Sequence, residues 1–467
     1  MTTTYYLNIV FAGVFASISG AKEPITLNTK VITPFIQEQC IRCHGPEKQK
    51  SKLRLDTLAP HMENSDQVRR WTDIYLALHD REMPPEDEEQ PPASELVAVI
   101  AHLKGQIKSA TARFGPGHQY LSGDIEIPAA SANEAKVDAF GRNTILAAAK
   151  YLDDGALAWK RERKCLACHT TGTYMVERPG LSPYLGMPNE ELLQAYRGKP
   201  AGPVTPRESG YPNGYKIIWS ALGLAQVDKH INGTTSEITQ RALQTMFMQQ
   251  RADGKWNHYR GVREIPHITT DFELAVRAAW AAASAPGWLD SLEDTELRTR
   301  VKRLKTYLRE YEPGNDYERA LQLQLANFMP NLVPTDQREA AIAMLRRKQQ
   351  EDGGWSTRSM STIDRWANWD PRVDKRNLDM LHAESDEEKA ASDPYMTGFA
   401  IVLLRESGVP VNDKHIQRGI EWLKINQRES GRWWMKSMYK DSYHFTTYMG
   451  TTQAMKALAI CGELNID

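Results

Sequence analysis

The sequence has no long run of charge of one sign. Its 58 Lys and Arg residues nearly balance 59 Asp and Glu residues, for a formal net charge of -1. It therefore lacks the basic arm or polybasic patch that nucleic acids and anionic membrane surfaces attract. Beyond the amino terminus, no stretch approaches the roughly 18 apolar residues that cross a bilayer. We expect neither a nucleic-acid partner nor a membrane span in the mature chain, and charge alone does not identify a redox partner.

Cysteine is also scarce, with five in 467 residues, so a disulfide framework is not expected. Four of the five lie in two Cys-x-x-Cys-His strings, Cys40–Cys43–His44 and Cys165–Cys168–His169, and Cys461 is the fifth. A bare Cys-x-x-Cys also suits half of a zinc site or a redox disulfide. A His directly after both pairs, and the absence of a thioredoxin-like pattern around them, favour c-type haem. On one helical turn, two such thiols can bond the haem vinyl groups while the next imidazole faces iron. We predict two covalently bound haem c groups.

The first 21 residues are typical of a signal peptide. An apolar stretch runs from Leu7 to about Ile18, and small residues at 19–21 suit cleavage after Ala21. The segment before it lacks the usual Lys or Arg, so a short membrane anchor is the alternative. Together with the haem motifs, the pattern predicts a periplasmic or otherwise exported protein.

Residues 22–112 form the first predicted domain, which is helical. Apolar residues repeat with helical spacing around Trp71 and again from Val97 to Ile107. The unit resembles planctomycete cytochrome c domains, similar to class I cytochromes, through residues 40–46, 53–56 and 82–85. The resemblance implies Met83 as the distal iron ligand, and Pro84 and Pro85 would stiffen the chain that presents its thioether. A loop methionine before an acidic turn is the alternative.

Residues 113–138 are rich in Gly, Pro and Ser and read as a linker. Beyond it, residues 139–467 are predicted to be helical and repetitive, because Gln-x-x-x-Gly-x-Trp recurs three times, at Gln250–Trp256, Gln349–Trp355 and Gln427–Trp433. Each Gly should end a helix, and each Trp should cover the turn and join one outer helix to the next. These repeats resemble the squalene-hopene cyclase and prenyltransferase superfamily, which implies an α/α toroid. The predicted fold class is therefore all-α.

The second haem motif is predicted to lie in the first repeat of the toroid. Aligning Trp159 with Trp422 puts Lys164 at the Gln position and Cys165 to His169 where the turn would follow. Met187, in Gly-Met-Pro, is the candidate distal ligand because it repeats the local character of Met83; Met175 is the nearer alternative. An open sixth position is equally compatible. Five histidines are further candidates, each better interpreted as a surface or core residue: His230, His258, His267, His382 and His444.

Terpene cyclization is not expected, because the Asp-x-Asp-Asp acid of class II cyclases is absent. Asp393 is interpreted as a helix N-cap followed by Pro394. Prenyltransferase zinc chemistry is equally doubtful, since Cys461 has no convincing partners. Aromatic residues on the inner helices, such as Trp280 and Tyr448, suit either a packed core or a cavity for an apolar small molecule.

Two functions follow. The first is an exported dihaem cytochrome that transfers electrons, with Met83 and His44 at the first centre. The alternative is a haem oxidoreductase, using oxygen or peroxide, in which an open iron at His169 acts on an apolar ligand in the toroid. Its catalytic residues cannot be named from the sequence.

Overall fold

The computed structural model describes residues 22–50, 53–79, 83–84, 88–114, 118–163, 166, 169–198, 214–257, 270–362, 391–436 and 445–465. The chain divides into two compact units, 1–117 and 118–467. None of the described helices is long and apolar enough to cross a membrane. The predicted signal peptide lies outside the described residues.

The first unit is a small helical domain with one two-stranded ribbon. Its elements are β1 (Ile25–Thr26), α1 (Thr29–Gln39), α2 (Ile41–His44), β2 (His61–Met62), α3 (Ser65–His79) and α4 (Ala93–Phe114). Asn28 caps α1 by accepting a hydrogen bond from the Lys30 N–H. Trp71 of α3 is buried in the core, and its indole N–H donates to the Ala59 carbonyl at 3.2 Å. The helices α3 and α4 pack against each other around this tryptophan.

The apolar run of α4 largely packs against the core. Leu103 is buried, and Ile100 and Ile107 are partly buried against the same core. Val97 is 63% exposed, whereas Leu96 and Val99 are buried. Helical spacing alone does not say which apolar residues of a run the core covers.

The second unit begins with the hairpin β3 (His118–Ser122) and β4 (Ile125–Pro128). Its longer helices then follow in chain order: α5 (Arg142–Arg163), α6 (Thr171–Glu177), α7 (Ser182–Leu185), α8 (Glu190–Arg197), α9 (Gly214–Val227), α10 (Glu237–Met248), α11 (Asp271–Ser284), α12 (Thr295–Glu310), α13 (Asp316–Phe328), α14 (Thr335–Lys348), α15 (Pro394–Glu406), α16 (Lys414–Asn426) and α17 (Phe445–Ile460).

Six of these helices form a closed inner ring. In order around the ring they are α6, α9, α11, α13, α15 and α17, and α17 packs back against α6. Outer helices α5, α10, α12, α14 and α16 cover them. The Tyr448 hydroxyl of α17 donates to the Leu152 carbonyl of α5 at 2.7 Å, which ties the last repeat to the first. The second unit is an α/α toroid, as the sequence predicts.

The three Gln-x-x-x-Gly-x-Trp strings build the same turn. In each, the Gln amide donates to the Gly carbonyl, and the indole N–H donates to a carbonyl in the last turn of the preceding helix at 2.7 Å. All three glycines have φ between +85° and +96°. The predicted position of Gly is slightly wrong, because each helix ends at or before the Gln, and the Gly shapes the turn that follows.

Each motif glycine also lies against the next outer helix. A Cβ at Gly353 would fall 2.7 Å from the Arg418 carbonyl oxygen of α16. A Cβ at Gly431 would fall 2.3 Å from the Ala147 carbonyl carbon of α5. The motif therefore joins successive outer helices, as predicted, and its third copy closes the ring.

Residues 118–138, which the sequence assigns to the linker, belong to the second unit. Ile125 and Ile127 of β4 enter its hydrophobic core. The Glu134 carboxylate accepts from the Arg432 guanidinium at 2.8 Å, and the Val137 N–H donates to the Gln427 carbonyl at 3.0 Å. This segment thus packs against the third motif turn.

Candidate haem sites

The first Cys-x-x-Cys-His string forms one helical turn. The N–H groups of Cys43 and His44 both donate to the Cys40 carbonyl, at 3.1 and 2.9 Å, so Cys40 begins α2. Cys40 and Cys43 are free thiols, and burial raises the pKa of Cys40 to about 11. The two sulfur atoms and the imidazole therefore belong to a single rigid turn.

The orientation of the His44 ring is set by the loop that follows it. Its Nδ1 lies 3.1 Å from the Lys50 carbonyl oxygen, which can only accept, so Nδ1 carries the proton. The lone pair is then on Nε2, the nitrogen available to a metal. A backbone carbonyl that fixes the tautomer of a ligating histidine is a common supporting contact at metal centres.

Met83 has an exposed side chain in the same unit. It is 39% exposed and Leu53 is 40% exposed, unusual values for large apolar residues beside a well-packed core. The segment after Met83 returns to the Cys-x-x-Cys-His turn, because Glu88 pairs with Arg42 of α2 at 2.5 Å. Pro84 is buried, and Pro85 lies outside the described residues.

These residues fit a covalently held haem c. Two thiols lie on one turn, the imidazole presents Nε2, and exposed apolar side chains are available to cover a porphyrin. Cys40, Cys43, His44 and Met83 are the residues that would hold the group.

At the second string the structure describes His169 and Leu166, whereas Cys165, Cys168 and Lys164 lie outside the described residues. His169 directly precedes α6. Its ring stacks on Phe445, the first residue of α17, with centroids 4.4 Å apart, and tilts against Trp159 of α5 at 5.3 Å. Its Nδ1 lies 3.0 Å from the Thr170 hydroxyl oxygen. Two aromatic rings and a hydroxyl thus fix the orientation of this imidazole.

Tyr196 of α8 anchors the loop of the second motif. Its hydroxyl contacts the Leu166 carbonyl, between the two cysteines in the chain, and also the Thr171 carbonyl at 3.3 Å. Tyr196 is buried. Leu166 is therefore anchored to α8 of the second unit.

Met187 has an exposed side chain. It is 59% exposed, and its carbonyl, with those of Leu185 and Gly186, accepts from the Arg178 guanidinium. Arg178 follows the carboxyl end of α6, whereas His169 precedes the amino end. Ligation by Met187 stays a prediction.

The other candidate ligands of the second haem are also unassigned. Met175 is buried in the middle of α6 and packs near Gly223 of α9. His230 packs against Gly180, beyond the carboxyl end of α6. His258, His267, His382 and His444 lie outside the described residues.

Buried charges lie among the inner helices. Glu273 and Arg277 of α11 pair at 2.8 Å, and Arg277 lies 4.6 Å over the Trp219 ring. Burial alone would lower the pKa of Arg277, but the Glu273 carboxylate raises it overall. Lys456 of α17 pairs with Glu177 of α6 at 2.9 Å. The inner helices therefore carry charged side chains as well as apolar ones.

The aromatic residues of the inner helices are mostly packed. Tyr395 is buried and its hydroxyl lies 3.2 Å from that of Tyr317. Tyr448 is buried and turns toward α5, while Trp280 stacks on the half-buried Phe328 at 6.5 Å. Among these aromatic residues the interpretation of a packed core describes the arrangement better than an open apolar cavity.

Asp393 caps α15, as predicted. Its carboxylate accepts from the Met396 N–H at 2.8 Å and the Thr357 N–H at 2.5 Å, with Pro394 at the first helical position. Burial raises the pKa of Asp393, and these two N–H groups oppose that rise. Both oxygens are therefore engaged by the backbone.

Three contributors to these sites were not identified from the sequence. The Lys50 carbonyl has no side-chain signal, because any residue supplies that oxygen. Phe445 and Tyr196 are far from the motifs in the chain, and only the ring closure and the packing of α8 bring them to residues 166–169. Only an alignment of related sequences could have connected Phe445 and Tyr196 to the second motif.

The comparison with known protein families bears on the first unit. Residues 40–87 match the family described as Planctomycete cytochrome C. No curated protein matches the sequence. Among solved structures, the apo type II terpene cyclase MstE from Scytonema matches with a TM-score of 0.39 and 14% identity, covering 68% of this chain and 98% of that chain. That likeness is too weak to carry an argument, so the toroid assignment rests on the helix ring itself. Residues 40–87 thus match a cytochrome c family, and the described residues among them fit covalently bound haem c.

Proposed function

We propose that this chain is an exported dihaem cytochrome that transfers electrons. One haem c would be held by Cys40, Cys43, His44 and Met83, and the other by Cys165, Cys168 and His169 at the edge of the toroid. The observation that carries the proposal is the His44 ring, whose Nδ1–H is used by the Lys50 carbonyl while Nε2 is left for iron. The family match over residues 40–87 supports the same chemistry.

At the first centre, His44 and Met83 would hold the haem iron, and the protein's part is to orient these two side chains. The Lys50 carbonyl holds the imidazole in one tautomer, and the Arg42–Glu88 pair keeps the Met83 segment beside α2. When bound, haem c supplies one-electron transfer, and His/Met ligation raises its reduction potential.

At the second centre, the toroid supplies the support. Phe445 and Trp159 restrict rotation of the His169 ring, and Tyr196 fixes the loop between the cysteines. A rigid supporting shell of this kind keeps a ligating group in place at low entropic cost.

The alternative is a haem oxidoreductase with an open iron position at His169. It draws support from Met187, whose side chain is 59% exposed and whose carbonyl accepts from Arg178. The ion pairs Glu273–Arg277 and Glu177–Lys456 indicate that a ligand among the inner helices would carry polar groups. Terpene cyclization gains no support, because both Asp393 oxygens accept backbone hydrogen bonds.

Mass spectrometry of the intact exported protein tests the number of haems. We expect two haem masses on the wild type, one each on Cys40→Ser/Cys43→Ser and Cys165→Ser/Cys168→Ser, and two on the control Cys461→Ser. One haem on the wild type would refute the dihaem proposal.

Optical and EPR spectra, recorded with and without carbon monoxide or cyanide, separate the two functions. Two low-spin centres that ignore both ligands support electron transfer alone. A high-spin centre that binds them, and disappears in Cys165→Ser/Cys168→Ser, supports the oxidoreductase.

A further inference from the structure

Thr170 lies where a threonine usually caps a helix, but its hydroxyl does not cap α6. It occupies the N-cap position, and its side chain makes no capping hydrogen bond. Its backbone, at φ of -101° and ψ of -74°, departs from the extended conformation that turns an N-cap side chain back onto its helix. Thr270 of α11 is extended, and its hydroxyl accepts from the Glu273 N–H at 3.1 Å. The Thr170 hydroxyl therefore serves something other than its helix.

The Thr170 hydroxyl faces the imidazole of His169. The Thr170 Oγ1 lies 3.0 Å from the His169 Nδ1. Thr170 is 0% exposed, so the contact is made on the buried side of the imidazole. A hydroxyl can donate or accept a hydrogen bond, and an imidazole nitrogen does either according to its tautomer.

Iron binding would select one of these two arrangements. This step rests on the proposed function, in which the His169 Nε2 is a ligand of the second haem. An imidazole that gives its Nε2 lone pair to a metal carries its proton on Nδ1, so the Thr170 oxygen is the acceptor. At the first centre, the Lys50 carbonyl oxygen has this position, 3.1 Å from the His44 Nδ1. The two centres therefore offer different acceptors to the imidazole proton.

The orientation of the His169 ring does not depend on Thr170 alone. Phe445 stacks on the ring with centroids 4.4 Å apart, and the Trp159 ring lies at 5.3 Å. Both aromatic contacts remain when the Thr170 hydroxyl is removed. The effect of the hydrogen bond on the haem can therefore be measured separately from the orientation of the ring.

We propose that Thr170 is a positioning residue that tunes the second haem. Its hydroxyl accepts the His169 Nδ1–H, keeps the Nε2 lone pair for iron, and increases electron donation by the imidazole. Greater donation stabilises oxidised iron and so lowers the reduction potential. Hydrogen bonds to the groups around a haem are one of the features by which a protein sets this potential.

Potentiometric titration of the full haem-loaded chain, followed by optical and EPR spectra, tests the proposal. The second haem is identified as the signal that is absent from Cys165→Ser/Cys168→Ser. Thr170→Val removes the hydroxyl with little change of shape, and the potential of the second haem should rise. A change of up to about tenfold in its reduction equilibrium is a rise of up to about 59 mV for one electron. The potential of the first haem should stay the same.

Two further variants separate the hydrogen bond from a structural effect. Thr170→Ser keeps a hydroxyl and should have the wild-type potential. The matched control is Thr270→Val, which removes the capping hydroxyl of α11 and should cost stability without altering either potential. Thr170→Ala replaces Thr170→Val if the circular dichroism spectrum of the valine variant is altered.

The role of Thr170 is refuted if the folded variant without a hydroxyl has the same second-haem potential as Thr270→Val. It is also refuted if Thr170→Ser shifts this potential as far as Thr170→Val does. Mass spectrometry distinguishes this failure from failure of the proposed function. Two haem masses in every variant with an unchanged potential would overturn the role of Thr170 alone, whereas one haem mass on the wild type would overturn the dihaem proposal.

Discussion

Gly431→Ala should destabilise the toroid far more than an otherwise similar glycine substitution. Gly431 has φ of +88°, and an alanine Cβ there would lie 2.3 Å from the Ala147 carbonyl carbon and the Ala148 nitrogen. These atoms belong to the backbone of α5, so they cannot move aside without shifting a helix. The same turn holds the Gln427 amide on the Thr144 carbonyl at 2.8 Å, and this contact joins the last repeat to the first.

Gly408 is the matched control. It has φ of +89°, and a Cβ there would meet no atom within 4 Å. Gly408→Ala should therefore show only the backbone term, about 1–2 kcal/mol for an L-residue in the left-handed region. Gly431→Ala adds overpacking of about 1–3 kcal/mol, for a total of about 2–5 kcal/mol.

Urea unfolding followed by circular dichroism and tryptophan fluorescence measures both free energies of unfolding. Equal destabilisation by the two variants would show that the close approach of the third motif to α5 contributes nothing to stability. The conclusion that this turn closes the ring would then be wrong.

Three further predictions concern the haem centres and an ion pair. Met83→Ala should keep two haems by mass but lower the reduction potential of one centre and allow it to bind carbon monoxide, whereas Met187→Ala should change neither property; an unchanged potential in Met83→Ala would contradict the proposed ligation. Tyr196→Phe should remove the hydrogen bonds to the Leu166 and Thr171 carbonyls and destabilise the toroid by about 1 kcal/mol, with heterogeneous EPR signals from the second haem only; signals identical to the wild type would remove Tyr196 from the supporting shell. Arg161 and Lys160 lower the pKa of Glu191 from 4.5 to about 2, so their stabilising effect is present above pH 4.5 and is lost as the pH falls toward 2. Because these side chains are over one third exposed on average, Glu191→Gln should destabilise by about 1 kcal/mol or less at pH 7 and by nothing near pH 2, as measured by urea unfolding; a pH-independent difference would contradict this reasoning.

The repeat motifs were predictable because their chemistry is local. The Gln amide and the positive φ of the glycine lie within the seven-residue string, and the indole N–H donates to a carbonyl ten positions earlier in the chain. The cap by Asp393 was predictable for the same reason. By contrast, the exposure of Val97 on α4 follows from packing, because helical spacing alone does not say which apolar residues of a run the core covers.

The sequence by itself determined the two Cys-x-x-Cys-His strings and the helical repeats, since each depends on residue type and short spacing. The candidate ligand Met83 came from the resemblance to cytochrome c domains. Only the tertiary structure decided which residues support them. Ring closure brings Phe445 to His169 across 276 positions of the chain, and the packing of α8 brings Tyr196 to Leu166. Such contacts join residues that are distant in the chain, and the free energy that selects them comes from burying the whole core rather than from any local pattern.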